Sequence, residues 1–117
     1  MSLRCLIVDD SEEFLASARR LLSSQGLEIV GSASSGAEAL GLAETLRPDV
    51  ALVDVQLGDE DGLEVARRLS KQRPGTRVVL ISTHSEDDLS ELIDGSAAVG
   101  FLPKTALSAA AILELAG

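Results

Sequence analysis

Short apolar runs recur along the chain as "LRCLIV" (3–8), "LEIVGSA" (27–33), "VALVDV" (50–55), "RVVLIS" (77–82) and "AVGFL" (98–102). Each has the length and the β-branched content of a strand. Between them apolar residues return at helical spacing: Phe14, Leu15, Ala18, Leu21 and Leu22; then Ala37, Leu40, Ala43 and Leu46; then Leu63, Val65, Ala66 and Leu69. Two further helices are expected over 86–94 and 106–116. Strict alternation implies parallel strands joined by right-handed crossovers, because a parallel pair cannot be closed by a tight turn. The expected fold is a three-layer α/β sandwich of five parallel strands and five helices.

The punctuation agrees with this division. Ser11 can cap the first helix, with Glu12 and Glu13 in its first turn, and Ser35 can cap the second. Pro48 and Pro74 follow the second and third helices, and Gly26 and Gly95 suit helix ends. Three runs are apolar on both faces, as central parallel strands must be, whereas "LEIVGSA" carries Glu28, Gly31 and Ser32 and reads as an edge.

At 117 residues and 45% hydrophobic content, the chain suits one compact domain, 1–117, with a real core. Nineteen acids against ten Lys and Arg give a net charge of -9, which repels phosphate backbones and anionic membranes. Direct nucleic-acid and membrane binding are not expected. The single cysteine, Cys5, reads as a small core residue in a reducing compartment, and no apolar segment is long enough to span a bilayer. A cytoplasmic location is expected.

In an open parallel sheet, functional groups collect at the carboxyl ends of the strands. Asp9 and Asp10 follow the first run; Asp54 ends the third; Ser82, Thr83 and His84 end the fourth; Pro103 and Lys104 end the fifth. An isolated "DD" fits a solvated loop beside a helix cap equally well. Asp54 is different, because a carboxylate inside "VALVDVQL" needs a partner or a purpose to offset its desolvation. Carboxylates about 4 Å apart repel by roughly 4 kcal/mol at an effective dielectric near 20. Such a cluster either retains protons or holds a cation. All-oxygen ligands with an open face suit Mg²⁺, with Mn²⁺ as a substitute; zinc is disfavoured, with Cys5 inside a strand and His84 the only imidazole.

Lys104, one of two lysines, is the only charged residue between Asp94 and Glu114. It is either an exposed strand-end lysine or a cation aimed at the acids, able to pair with Asp54 and grip a phosphoryl oxygen. Together these groups describe a phosphoryl-transfer site with Asp54 as the carboxylate nucleophile.

"LIVDD", "LVDVQLGDEDGLEV", "VVLIST" and "GFLPK" together resemble the receiver domain of bacterial two-component response regulators, a flavodoxin-like family with strand order 2-1-3-4-5. The resemblance covers essentially the whole chain. It implies that Asp54 is the phosphoacceptor for the phosphohistidine of a sensor histidine kinase or phosphotransfer protein. It implies that Asp10, Asp54 and the Gln56 backbone carbonyl hold Mg²⁺, with Asp9 acting mostly through water. Ser82 matches the switch hydroxyl, Lys104 the family's lysine and Phe101 the aromatic that swings inward. Gln56, Thr83 and His84 match positions that tune phosphate lifetime, though a loop histidine is also a common bystander.

The sequence departs from the family in three places. Gly58 replaces a frequent proline, so a more mobile loop is expected. Thr83 replaces a smaller residue, which would narrow access to Asp54 and slow exchange. Thr105 replaces a proline after Lys104, so no cis-proline is expected there. Because the chain ends near its fifth helix, the expected output is a downstream protein or a homodimer, reached through the 86–116 face. Two rivals remain. One is a receiver-like module that signals without phosphorylation, whose hallmark would be loss of an acid or the lysine. The other is an enzyme: a small aspartyl-phosphate phosphohydrolase would usually carry Asp where Gln56 stands, and a flavin phosphate would be repelled by the acidic first loop. A phosphoacceptor, rather than a turnover enzyme, is the expectation.

Overall fold

The computed structural model describes residues 3–83 and 98–116. Five strands, β1 (Arg4–Val8), β2 (Glu28–Ala33), β3 (Val50–Asp54), β4 (Arg77–Ser82) and β5 (Gly100–Pro103), form one parallel sheet in the order β2-β1-β3-β4-β5. Among the described residues the helices are α1 (Glu12–Ser24), α2 (Gly36–Leu46), α3 (Gly62–Gln72) and α4 (Ala109–Ala116). The helix expected over 86–94, with Gly95 at its end, lies outside the described residues.

Side-chain alternation sorts the core into two layers. From β1, Leu6 and Val8 join Val53, Val65, Leu69, Leu80 and Phe101 on the face covered by α2 and α3. Cys5 and Ile7 point the other way, into a cluster with Leu22, Leu52, Ile81 and Ile112 beneath α1 and α4. Because both faces are covered, β3 is buried from end to end, including its terminal Asp54. Each fully buried Leu or Ile contributes on the order of 2 kcal/mol. β2 is the edge that its polar residues imply, with Glu28 exposed and a register shift opposite Cys5 and Leu6.

Local chemistry sets the helix ends. The Ser11 side chain accepts from the Phe14 N–H at 3.2 Å, and Ser35 accepts from the Glu38 N–H at 3.2 Å. The Glu38 carboxylate accepts from the Ser34 N–H at 2.7 Å, which ties the chain just before the cap to the first turn of the helix. One boundary differs from expectation: the last helix begins at Ala109, not 106. Residues Lys104–Ala106 instead make a 3₁₀ turn and Leu107 is extended. The new start is fixed by Ser108, whose hydroxyl accepts from the Ala111 N–H, and by Gln25, whose side-chain carbonyl accepts from the Ala109 N–H at 2.7 Å across the fold.

The loop after Asp54 is a hairpin. Gln56–Leu57 pairs antiparallel with Glu60–Asp61, and Gly58 turns the chain at φ +58°. Proline, held near φ -65°, cannot adopt that angle, so this turn geometry itself demands the departure at Gly58. The segment for which greater mobility is expected is thus a short paired hairpin.

Candidate functional site

Four strand ends and the hairpin surround a cavity of about 200 Å³, lined by Asp10, Asp54, Gln56, Gly58, Ser82, Thr83 and Lys104. The end of β1 supplies two acids with different tasks. Asp9 is fully buried: its Oδ1 accepts from the Ser11 N–H at 2.9 Å, and its Oδ2 forms an ion pair with Lys104 Nζ at 2.6 Å. Asp10 is exposed and faces the cavity. Of the two adjacent acids, one anchors and one is open to a ligand.

Asp54 is nearly as buried as Asp9, and both of its oxygens are engaged. Oδ1 accepts from the Gln56 N–H at 3.0 Å and Oδ2 from Lys104 Nζ at 3.0 Å. Behind it the packing leaves no slack. Gly62 opens α3 with its N–H on the Val55 carbonyl at 2.9 Å, and a Cβ there would fall 1.8 Å from the Asp54 carbonyl oxygen. Only glycine fits.

Lys104 follows β5 immediately, so the parallel register that pairs Ser82 with Pro103 carries it to the acids. Its ammonium also sits over the Phe14 ring, 4.3 Å from the centroid. Burial opposes its charge, but the neighbouring Asp9 and Asp54 carboxylates outweigh that and raise its pKa above the ordinary lysine value. The Asp9 carboxyl is raised as well, chiefly by burial and further by the Asp54 charge, against the lowering effect of Lys104 and the Ser11 N–H.

One ammonium therefore faces three acids. Asp9, Asp10 and Asp54 each offer a carboxylate oxygen, and the three atoms lie within 4.8 Å of one another. This oxygen-only, electron-rich wall with an exposed side fits a hard divalent cation such as Mg²⁺. Ser82 is buried at the end of β4 with its neighbour Thr83 exposed at the cavity mouth, and both line the cavity as expected. Gln56 lines it too, its N–H directed to Asp54. Phe101 lies outside the cavity lining, buried beside Leu80 in the layer under α2 and α3. His84 lies outside the described residues. No cis peptide bond occurs among those described.

Two contributors were not legible as site residues. Phe14 reads in the sequence as core spacing; the available signal was that it is one of only two aromatics, one turn beyond "DD". Gly62 stands inside "GDEDGLEV" at a helix start, where glycine is a poor helix former and so marks a close approach.

The family model of the response regulator receiver domain matches residues 5–115. The response regulator GacA of Pseudomonas viridiflava is 36% identical over 105 residues, which are 89% of this chain and 49% of that protein. This chain thus spans about half the length of the curated relatives it matches. Among solved structures, the signal receiver domain of the response regulator NarL from Mycobacterium tuberculosis aligns with a TM-score of 0.85 and 36% identity, over 98% of this chain and 96% of that one. A response regulator from Burkholderia pseudomallei, whose crystal structure holds a phosphorylated aspartic acid, a calcium ion and citrate, aligns with a TM-score of 0.85 and 25% identity, over 99% of this chain and 67% of that one.

Receiver domains of two-component systems are phosphoacceptors with an acidic Mg²⁺ pocket, and they interact with histidine kinases and downstream effectors. With the acids, the lysine and the five-stranded order all in place, this chain belongs to the response regulator receiver domain family.

Proposed function

We propose that Asp54 takes a phosphoryl group from the phosphohistidine of a sensor histidine kinase or phosphotransfer protein. A carboxylate oxygen of Asp54 forms the new P–O bond as the donor P–N bond breaks. The leaving imidazole nitrogen keeps that electron pair and takes a proton from solvent. Asp10, Asp54 and the Gln56 carbonyl would hold Mg²⁺, with Asp9 acting through water; the ion would supply positive charge opposite the equatorial phosphoryl oxygens. Lys104 and the Ser82 hydroxyl supply the remaining positive charge and hydrogen bonding at those oxygens. The chain catalyses its own modification and hydrolysis and turns over no separate substrate.

One observation carries this reading: the Asp54 carboxylate, at the end of a buried strand, meets Lys104 Nζ at 3.0 Å and two further acids while facing a 200 Å³ cavity. Gln56 and Thr83 line that cavity and control water access to the acyl phosphate; His84 is assigned the same tuning role from its position in the sequence. The phosphorylated aspartic acid and cation in the Burkholderia relative are consistent with the same chemistry. Signalling to a downstream protein or a second copy runs through the 86–116 face, where Val99 and Leu113 are large exposed apolar residues. No helix among the described residues is long and apolar enough to cross a membrane, and a cytoplasmic location suits a kinase partner.

Incubation with a small acyl-phosphate donor and Mg²⁺ is expected to add one phosphoryl group by intact mass, and Asp54→Asn to abolish it. A wild-type chain left unmodified at saturating donor would favour an interaction module that works without phosphorylation.

A further inference from the structure

Lys104 Nζ has three N–H donors, and two of them face the Asp9 and Asp54 carboxylates at 2.6 and 3.0 Å. The Phe14 ring lies against the same ammonium, its centroid 4.3 Å away, well inside the roughly 6 Å reach of a cation–π contact. The lysine side chain is only 15% exposed, so this attraction is little screened by water.

The same short turn supplies both the anchor and the ring. Asp9 Oδ1 accepts from the Ser11 N–H, and the Ser11 hydroxyl accepts from the Phe14 N–H. Through that chain of bonds the start of α1 is locked to the buried carboxylate. Phe14 itself packs half-buried against the layer that contains Ile7 and Ile81.

We propose that Phe14 is a positioning residue for Lys104 in phosphoryl transfer, guiding the ammonium as it exchanges Asp54 for a phosphoryl oxygen. The inference rests on the phosphoacceptor reading above. Its physical basis is the shape of the interaction. A carboxylate holds an ammonium by Coulomb attraction together with a hydrogen bond that depends on the N–H direction and weakens steeply when misaligned. A ring face attracts through its quadrupole, without a preferred N–H direction, and stays favourable across several ångströms. When the phosphoryl group arrives on Asp54, Lys104 must redirect one donor. Against Phe14 it does so without becoming unsolvated, and the ring offers no acceptor to compete with the phosphoryl oxygen. An aliphatic side chain would fill the same space without that attraction.

The test compares wild type with Phe14→Leu, Phe14→Met and Phe14→Tyr in the whole chain. Thermal midpoints confirm folding, and rates come from intact mass with a small acyl-phosphate donor at saturating Mg²⁺. NMR signals of the Lys104 Cε methylene protons report the ring contact through its ring-current shift. The expected result is phosphorylation slowed roughly 3- to 10-fold in the Leu and Met variants, with the upfield Lys104 shift lost. Phe14→Tyr is expected to keep the shift and to stay within about twofold of the wild-type rate. If the Leu variant fails to fold, the Met variant carries the comparison. Wild-type rates in the folded aliphatic variants, or a slow Phe14→Tyr that retains the shift, would overturn this proposal alone. A wild type that accepts no phosphoryl group overturns the phosphoacceptor reading, and this inference with it.

Discussion

Asp9 Oδ2 and Lys104 Nζ are 2.6 Å apart, joining a fully buried carboxylate at the end of β1 to a lysine that follows β5. The two strands are not neighbours in the sheet. The pair therefore ties the two sides of the cavity across β3 and β4.

Removing one member leaves a buried charge without its partner. Lys104→Met is expected to cost about 3 kcal/mol by urea denaturation without Mg²⁺. Adding Asp9→Asn removes the stranded charge, so the double variant should be less destabilised than the two single losses summed. Strict additivity would show that the pair contributes no coupling.

Divalent binding should compensate the excess of acids over ammonium. At ten times its dissociation constant, Mg²⁺ is expected to stabilise the native chain by about 1.4 kcal/mol. Asp10→Asn, at the exposed edge of the cluster, should weaken that gain while leaving the ion-free chain within about 0.5 kcal/mol of wild type. A thermal midpoint indifferent to millimolar Mg²⁺ would count against the cation site.

Gly62→Ala is expected to destabilise by more than about 2 kcal/mol, because its Cβ would fall 1.8 Å from the Asp54 carbonyl oxygen, which is rigid backbone. The hairpin would have to shift, and Asp54 with it. Amide shifts concentrated at Asp54–Gly62 together with slowed phosphorylation would be the signature; a stable variant with unchanged spectra would refute the close approach.

Cys5 provides a pH test remote from the cavity. Burial pushes its thiol from 9.0 up to about 12. The folded chain keeps the proton where the unfolded chain releases it, so this contribution is complete below pH 9 and is lost as pH rises towards 12. Between those limits the thiol alone should lower stability by about 1.4 kcal/mol per pH unit. Between pH 8 and pH 10 the wild type should lose about 1.4 kcal/mol more stability than Cys5→Ala, since only the unit above pH 9 counts. The native thiol should also resist alkylation until denaturant is added.

Gln25→Ala should loosen the last helix selectively. Its side chain caps the Ala109 N–H at 2.7 Å, and losing a cap costs about 1 kcal/mol. Faster hydrogen exchange confined to residues near Ala109 and Ile112 is the expected readout.

Much of this molecule was written along the chain. Strand and helix periods are local properties, so "LRCLIV", "VALVDV" and "RVVLIS" announced themselves as strands, and Ser11 and Ser35 as caps. Once the strands are parallel, their carboxyl ends must share one edge, and Asp9, Asp10, Asp54, Ser82 and Lys104 were legible there by position alone. Boundaries that hinge on competing turns were not: Lys104–Ala106 took a 3₁₀ turn, and the last helix waited for caps from Ser108 and Gln25.

The alternation, the layers and the shared edge of the strand ends were readable along the chain, because periodicity and strand direction depend only on neighbours in the sequence. It took the folded packing to make Asp9 an anchor while Asp10 stays open, to face Phe14 towards Lys104, and to bring Gly62 against the backbone of Asp54. Those outcomes depend on distances of a few ångströms between residues far apart in the chain, set by sheet register and side-chain packing.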